Sequence, residues 1–157
     1  GLTIGGNATI INSQVEVAEQ DLIRFEQAGY PGIITSRDMT GAPAYLWNLY
    51  GTLSLPETGT NLGLFFTSQG DTLLAGAGVS SKNLFIPSVY AKPVMTVNFT
   101  VTQRIVDGLQ LFFKAKNLTN PSVETVYRSP DGNSEFLRSS YTSGIDLAVG
   151  ISATFNF

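Results

Sequence analysis

The sequence predicts an all-β protein of about six antiparallel strands, each apolar on one side and polar on the other. Three observations predict it. Apolar residues recur with a period of two in six separate stretches. The charged residues inside those stretches all fall opposite the apolar side. The connections alternate between short turns and long excursions.

In chain order, the first stretch is Leu2 to Ile11, with Leu2, Ile4, Ala8 and Ile10 on one side. The second is Tyr45 to Leu55 (Tyr45, Trp47, Leu49, Leu53, Leu55) and the third Leu62 to Ser68 (Leu62, Leu64, Phe66). The fourth, Ala91 to Ile105, sets Pro93, Met95, Val97, Phe99 and Val101 against Lys92, Thr96, Asn98, Thr100, Thr102 and Arg104. The fifth opposes Leu109, Leu111, Phe113 and Ala115 to Gln110, Phe112, Lys114 and Lys116. The sixth, Ile145 to Phe157, is the most regular, with every odd position apolar and every even one small or polar. No segment gives a convincing helical pattern.

Five charges lie within these stretches: Lys92, Arg104, Lys114, Lys116 and Asp146. All five share the polar side, so the two faces are set by more than the apolar pattern. The composition agrees. Charged residues make up 13% of the 157, about half the ~25% of an ordinary soluble domain. No run of eighteen apolar residues occurs, which excludes a membrane-spanning helix. A net charge of −3 with scattered Lys and Arg gives no basic stripe, so nucleic acid is not an expected partner. Without Cys or His there is no disulfide, thiol nucleophile, imidazole base or usual zinc ligand set. No cofactor and no enzymatic activity are expected.

Strands of ~9–11 residues with one apolar and one polar face suit a tilted crossing of a bilayer. Short turns follow the second strand (Pro56 to Thr60) and the fourth (Val106 to Gly108), whereas long connections run from Asn12 to Ala44, Gln69 to Tyr90 and Leu118 to Gly144. Tight periplasmic turns and long extracellular loops give a transmembrane β-barrel this asymmetry. The five charges are therefore expected to face the lumen. Tyr45, Trp47 and Tyr90 mark the long-loop end of the strands, and Phe155 and Phe157 the other. The acidic residues Glu16, Glu19, Asp21, Glu26 and Asp38 of the first connection lack the spacing of a calcium loop, so no metal site is expected.

Two motifs narrow the expectation. The chain ends on Phe157, with Phe155, Ala153, Ile151 and Val149 stepping back along its face. This resembles the C-terminal signal by which the barrel-assembly machinery recognises outer-membrane proteins. The stretch Asp107 to Pro121, ending Asn117-Leu-Thr-Asn-Pro121, resembles the penultimate-strand region of TonB-dependent receptors. A following hairpin between Tyr127 and Tyr141 and a last strand ending in Phe extend that likeness, and Gly41 to Tyr50 resembles the family's proline- and aromatic-marked start of a strand.

The resemblance implies the C-terminal six strands of a 22-strand barrel in the outer membrane of a Gram-negative bacterium, with the plug domain and earlier strands not in this sequence. It implies active uptake of a scarce nutrient, such as a metal chelate, a vitamin or an oligosaccharide. The partners would be the TonB complex, through parts outside this chain, the assembly machinery, the lipid bilayer and the rest of the barrel. Two alternatives stay open. A complete eight-stranded barrel would need further strands in Leu73 to Ile86 and Val123 to Arg128, and a secreted β-sandwich binding carbohydrate or mediating adhesion would suit the many Thr, Asn and aromatic residues.

Overall fold

The computed structural model describes residues 1–30 and 34–154. In chain order the strands are β1 (Leu2–Ile10), β2 (Gln14–Glu16), β3 (Ser36–Asp38), β4 (Tyr45–Leu55), β5 (Thr60–Gln69), β6 (Thr72–Ala75), β7 (Gly78–Val79) and β8 (Phe85–Ile86). There follow β9 (Ser88–Ala91), β10 (Val94–Val106), β11 (Leu109–Lys116), β12 (Ser122–Arg128), β13 (Glu135–Thr142) and β14 (Asp146–Ala153), and one helix, α1 (Glu19–Gln27), separates β2 from β3.

The six predicted strands form one antiparallel sheet in the order β1-β4-β5-β10-β11-β14. Alternation fixes its register, because a slip of one residue would turn an entire apolar set to the other face. Leu2 stands opposite Leu53, Leu53 opposite Leu62, Leu62 opposite Val101, Val101 opposite Phe113 and Phe113 opposite Val149. Directly opposed residues share a face, so the apolar sides of all six strands merge into one surface. Of the two short turns, the second uses Gly108 at φ +82, in the left-handed region a Cβ disfavours, beside a bulge between Arg104 and Val106. Among the described residues β1 and β14 are the outer edges of this sheet and do not pair with each other.

The long connections are not the structureless loops that the sequence suggests. Four short strands form a second sheet in the order β13-β12-β9-β6. β5 runs into β6, β9 into β10, β11 into β12 and β13 into β14, with two to five residues between them. The second sheet thus continues four strands of the first, in the same order, beyond the end of the first sheet. Its registers shift between Leu73 and Ala75 and between Thr125 and Val126. The first leaves Leu74 of β6 unpaired and so breaks the period of two there, whereas the second leaves out Arg138 of β13 and does not interrupt β12 itself. The four short strands lie end to end with existing strands and add none beside them.

Two further departures belong to the first connection and to the fourth strand. α1 is a helix where none was expected: Glu19 and Asp21 sit in its first turn and Arg24 in its last, favourably for the helix dipole, while Phe25 is buried. It is only nine residues long and two-thirds polar, so its apolar stripe is too short to stand out. The stretch Ala91 to Ile105 is broken at Lys92 and Pro93. Proline has no N–H to donate, and the Lys92 N–H bonds the Glu124 carbonyl of β12 at 2.9 Å, on the second sheet.

Burial divides the molecule. Phe25, Leu73, Val89 and Val126, all in the second sheet or the first connection, are buried, joined in the first sheet by Ala115. Among the described residues no helix or strand packs extensively on either face of the six-stranded sheet. Its apolar side chains are correspondingly open: Val149 is 78% exposed, Ile4 76% and Leu49 55%.

Candidate functional site

The polar face of the six-stranded sheet is hydrogen-bonded across strands. Asn7, Asn48 and Thr67 stand in one row of partners; the Asn48 side-chain amide donates to Asn7 Oδ1 at 3.0 Å, and the Thr67 hydroxyl donates to Asn48 Oδ1 at 2.9 Å. Asn and Thr suit this face because both donate and accept in one short side chain. Phe112, also on this side, lies over its cross-strand partner Gly150, whose missing Cβ leaves room for the ring.

The predicted charges fall in two places. Arg104, Lys114, Lys116 and Asp146 stand on the polar face of the first sheet. Arg104 reaches the Pro56 carbonyl at 3.4 Å and Asp107 at 3.9 Å beside the short turns. Lys114 lies 5.2 Å from the Phe112 ring centre, and Lys116 directly faces Asp146. Lys92 stands apart, because the break at Pro93 carries it to the second sheet. Of the predicted assembly-signal residues, Val149, Ile151 and Ala153 lie on the exposed apolar face opposite Phe113, Leu111 and Leu109. Phe155 and Phe157 lie outside the described residues. Tyr45 and Trp47 sit at the long-loop end of β4 with rings 5.5 Å apart, whereas Tyr90 belongs to β9 of the second sheet.

The Asn117-Leu-Thr-Asn-Pro121 segment is the corner where β11 leaves the first sheet for the second. Asn117 and Asn120 both take positive φ, +57 and +39, a conformation asparagine tolerates better than most residues. The Asn117 side-chain amide donates to the Ser143 hydroxyl and the Gly144 carbonyl, each at 2.7 Å, while Asn120 Oδ1 accepts from the Gly144 N–H at 3.1 Å. Thr119 donates to the Met95 carbonyl at 2.8 Å, and the Leu118 N–H bonds the Val97 carbonyl at the same distance. The segment thereby ties the start of β10 and the approach to β14 to one point.

An ion network that the sequence did not reveal spans the second sheet. Arg128 bonds Asp71 at 3.0 Å and Glu135 at 2.7 Å, and Lys92 bonds Glu135 at 2.8 Å. The Arg128 guanidinium stacks 4.1 Å from the Tyr90 ring centre, and the Tyr90 hydroxyl donates to Asp38 at 3.0 Å. Burial, followed by the hydrogen bond to Asp38, pushes the Tyr90 hydroxyl up to about 12. The Lys92 ammonium, with the Arg128 guanidinium second, holds the Glu135 carboxyl below its usual range. The network joins all three long connections, which bring its members together from Asp38 to Glu135. No signal in sequence spacing could have found it. Beside it, Glu16, Asp21, Phe25, Arg37 and Ser88 line a cavity of about 290 Å³ between the first connection and the second sheet.

No model of a protein family, no curated protein and no solved structure matches this chain.

Proposed function

We propose that the chain is the C-terminal portion of a transmembrane barrel in the outer membrane of a Gram-negative bacterium, and that this barrel belongs to a TonB-dependent receptor. The carrying observation is the apolar surface of six strands in register, whose side chains stay exposed among the described residues. In water so large an apolar surface would be a liability. Against lipid it is what a barrel wall presents, and the hydrogen-bonded Asn and Thr rows of the opposite face then line the interior.

The open edges support the same reading. The Thr154 N–H bonds the Gly108 carbonyl, so by antiparallel alternation the amides of Leu147, Val149 and Ile151 point away from β11. In hydrocarbon each unpaired amide would cost several kcal/mol, so further strands must complete both edges. That disfavours a small barrel closed within these strands. A sandwich is disfavoured because the two sheets run end to end.

The receptor assignment rests on the likeness of Asp107 to Pro121 and of the last strand to that family. On this reading the six strands are wall, and the second sheet with the helix is the extracellular surface where a scarce nutrient is met. TonB then acts on a plug outside this chain. The chain contributes binding surface and conduit and has no catalytic part.

The sequence holds no cysteine, so spin labels at Val97→Cys and Thr100→Cys test the orientation directly. In reconstituted protein the Val97 label should be relaxed by oxygen dissolved in lipid, and the Thr100 label by a water-soluble nickel complex. Equal accessibility of the two positions would refute the membrane reading. Deleting Phe157 in the full-length receptor should lower the amount of folded barrel without changing ligand affinity per folded molecule.

A further inference from the structure

The two outer edges of the second sheet are treated differently. β6 is capped: Pro43 bridges to Thr72, and the N–H groups of Gly41 and Ala44 bond the carbonyls of Leu73 and Asp71, each at 2.9 Å. Among the described residues β13 has no such cover. All eight of its residues are exposed, among them Phe136 at 66%. Proteins commonly blunt an edge strand with charge, proline, a bulge or a covering segment. β13 has one bulge, at Arg138, and beyond it Ser139 to Thr142 run in unbroken register toward β14.

Only Ser143 to Ile145 separate the bare edge of β13 from the bare edge of β14, and Asn117 and Asn120 hold that link in place. Because β12-β13 and β11-β14 follow the same order, both edges open to the same side. We infer that they form one continuous docking edge, and that the strand completing β14 runs on past the membrane to pair with Ser139 to Thr142 of β13.

Length supports this occupant. A strand tilted by about 45° crosses the hydrocarbon core in ~9–11 residues, whereas the edge from Ser139 to Ala153 is longer than that. A neighbour cut to the bilayer would leave the β13 part bare. A neighbour running antiparallel along β14 emerges beside β13 with its own ladder groups already aligned. A second copy of this chain, by contrast, would have to meet β13 where the barrel's own next strand emerges.

The inference rests on the barrel reading, and amide exchange in the full-length protein in detergent separates the two. The Lys92 N–H bonds Glu124, so Glu124 faces β9, Val123 and Thr125 face β13, and the amides of Ser140 and Thr142 point outward by alternation. These two, with Val149 and Ile151 of β14, should each exchange at least about tenfold slower than unstructured amides, at every protein concentration. If Val149 and Ile151 are protected while Ser140 and Thr142 exchange freely, the barrel closes but the extended edge is refuted. If none of the four is protected, the barrel reading falls and takes this one with it. Protection of Ser140 and Thr142 that rises with protein concentration would identify a second copy as the occupant and overturn the assignment.

Discussion

The two sheets share strands, direction and order, yet they sort their side chains in opposite ways. The second sheet and the connection packed on it bury Leu73, Val89, Val126 and Phe25 and hold their charges in a connected network. That is how a small water-facing structure behaves, with apolar groups inside and ionic groups paired near the surface. The first sheet leaves Leu49, Leu64, Met95 and Val149 open on one face and hydrogen-bonds its Asn and Thr rows on the other. The boundary is narrow, between Gln69 and Thr72, Ala91 and Val94, and Lys116 and Ser122. On the reading proposed above, this line is where lipid gives way to water. The break at Pro93 and the Asn117 corner are the devices that change the pattern there.

A charge placed on the apolar face should have the largest effect. Val97→Arg or Val149→Arg should cost about 2–4 kcal/mol near the bilayer midplane, read as a loss of folded protein in urea titrations from lipid vesicles. Thr100→Arg should cost clearly less, and equal penalties would erase the distinction between the faces. At the boundary, Asn117→Ala removes two side-chain hydrogen bonds and puts a less tolerant residue at φ +57. A loss of about 2 kcal/mol, with faster amide exchange from Ser143 into β14, is the expected outcome.

In the second sheet, Arg128→Met leaves Asp71 and Glu135 without their shared partner. We expect about 1–2 kcal/mol of local destabilisation after allowing for solvent screening. It should appear as faster exchange in β9, β12 and β13, with the first sheet unchanged. The smallest effect is that of pH on Glu135. Its carboxyl is lowered in the folded state, by Lys92 first and Arg128 second. Its contribution is therefore fully present above the unfolded value of ~4.3 and fades as pH falls through the lower folded value. Exchange in β13 should quicken below that range in the parent protein, and this acid-dependent step should be absent in Glu135→Gln.

Much of the first sheet was legible because its information is local. A period of two needs only consecutive residues, so the positions of the six strands and the face of Arg104, Lys114, Lys116 and Asp146 could be read directly. α1 had local signals too: acidic residues in its first turn and Gly29 just beyond its end, whose N–H bonds Glu26. They were outweighed by the polarity of so short a segment. Strands β6 and β9 are only four residues long and β6 and β13 are interrupted by bulges, so the second sheet left little periodic signal, and the ion network was hidden by distance along the chain.

The sequence by itself determined which residues could share a face, because side chains alternate along any extended strand whatever surrounds it. It also marked the two tight turns, where Gly59 and Gly108 allow the chain to reverse. Only the tertiary structure decided that the long connections fold as a continuation of the sheet, that Lys92 pairs with Glu135, and that Asp38, Asp71, Tyr90 and Arg128 meet. Those outcomes depend on strands from distant parts of the chain lying side by side. Their free energy comes from ladders, stacking and ion pairs that do not exist until the neighbours are in place, and so they leave no periodic trace in any one segment.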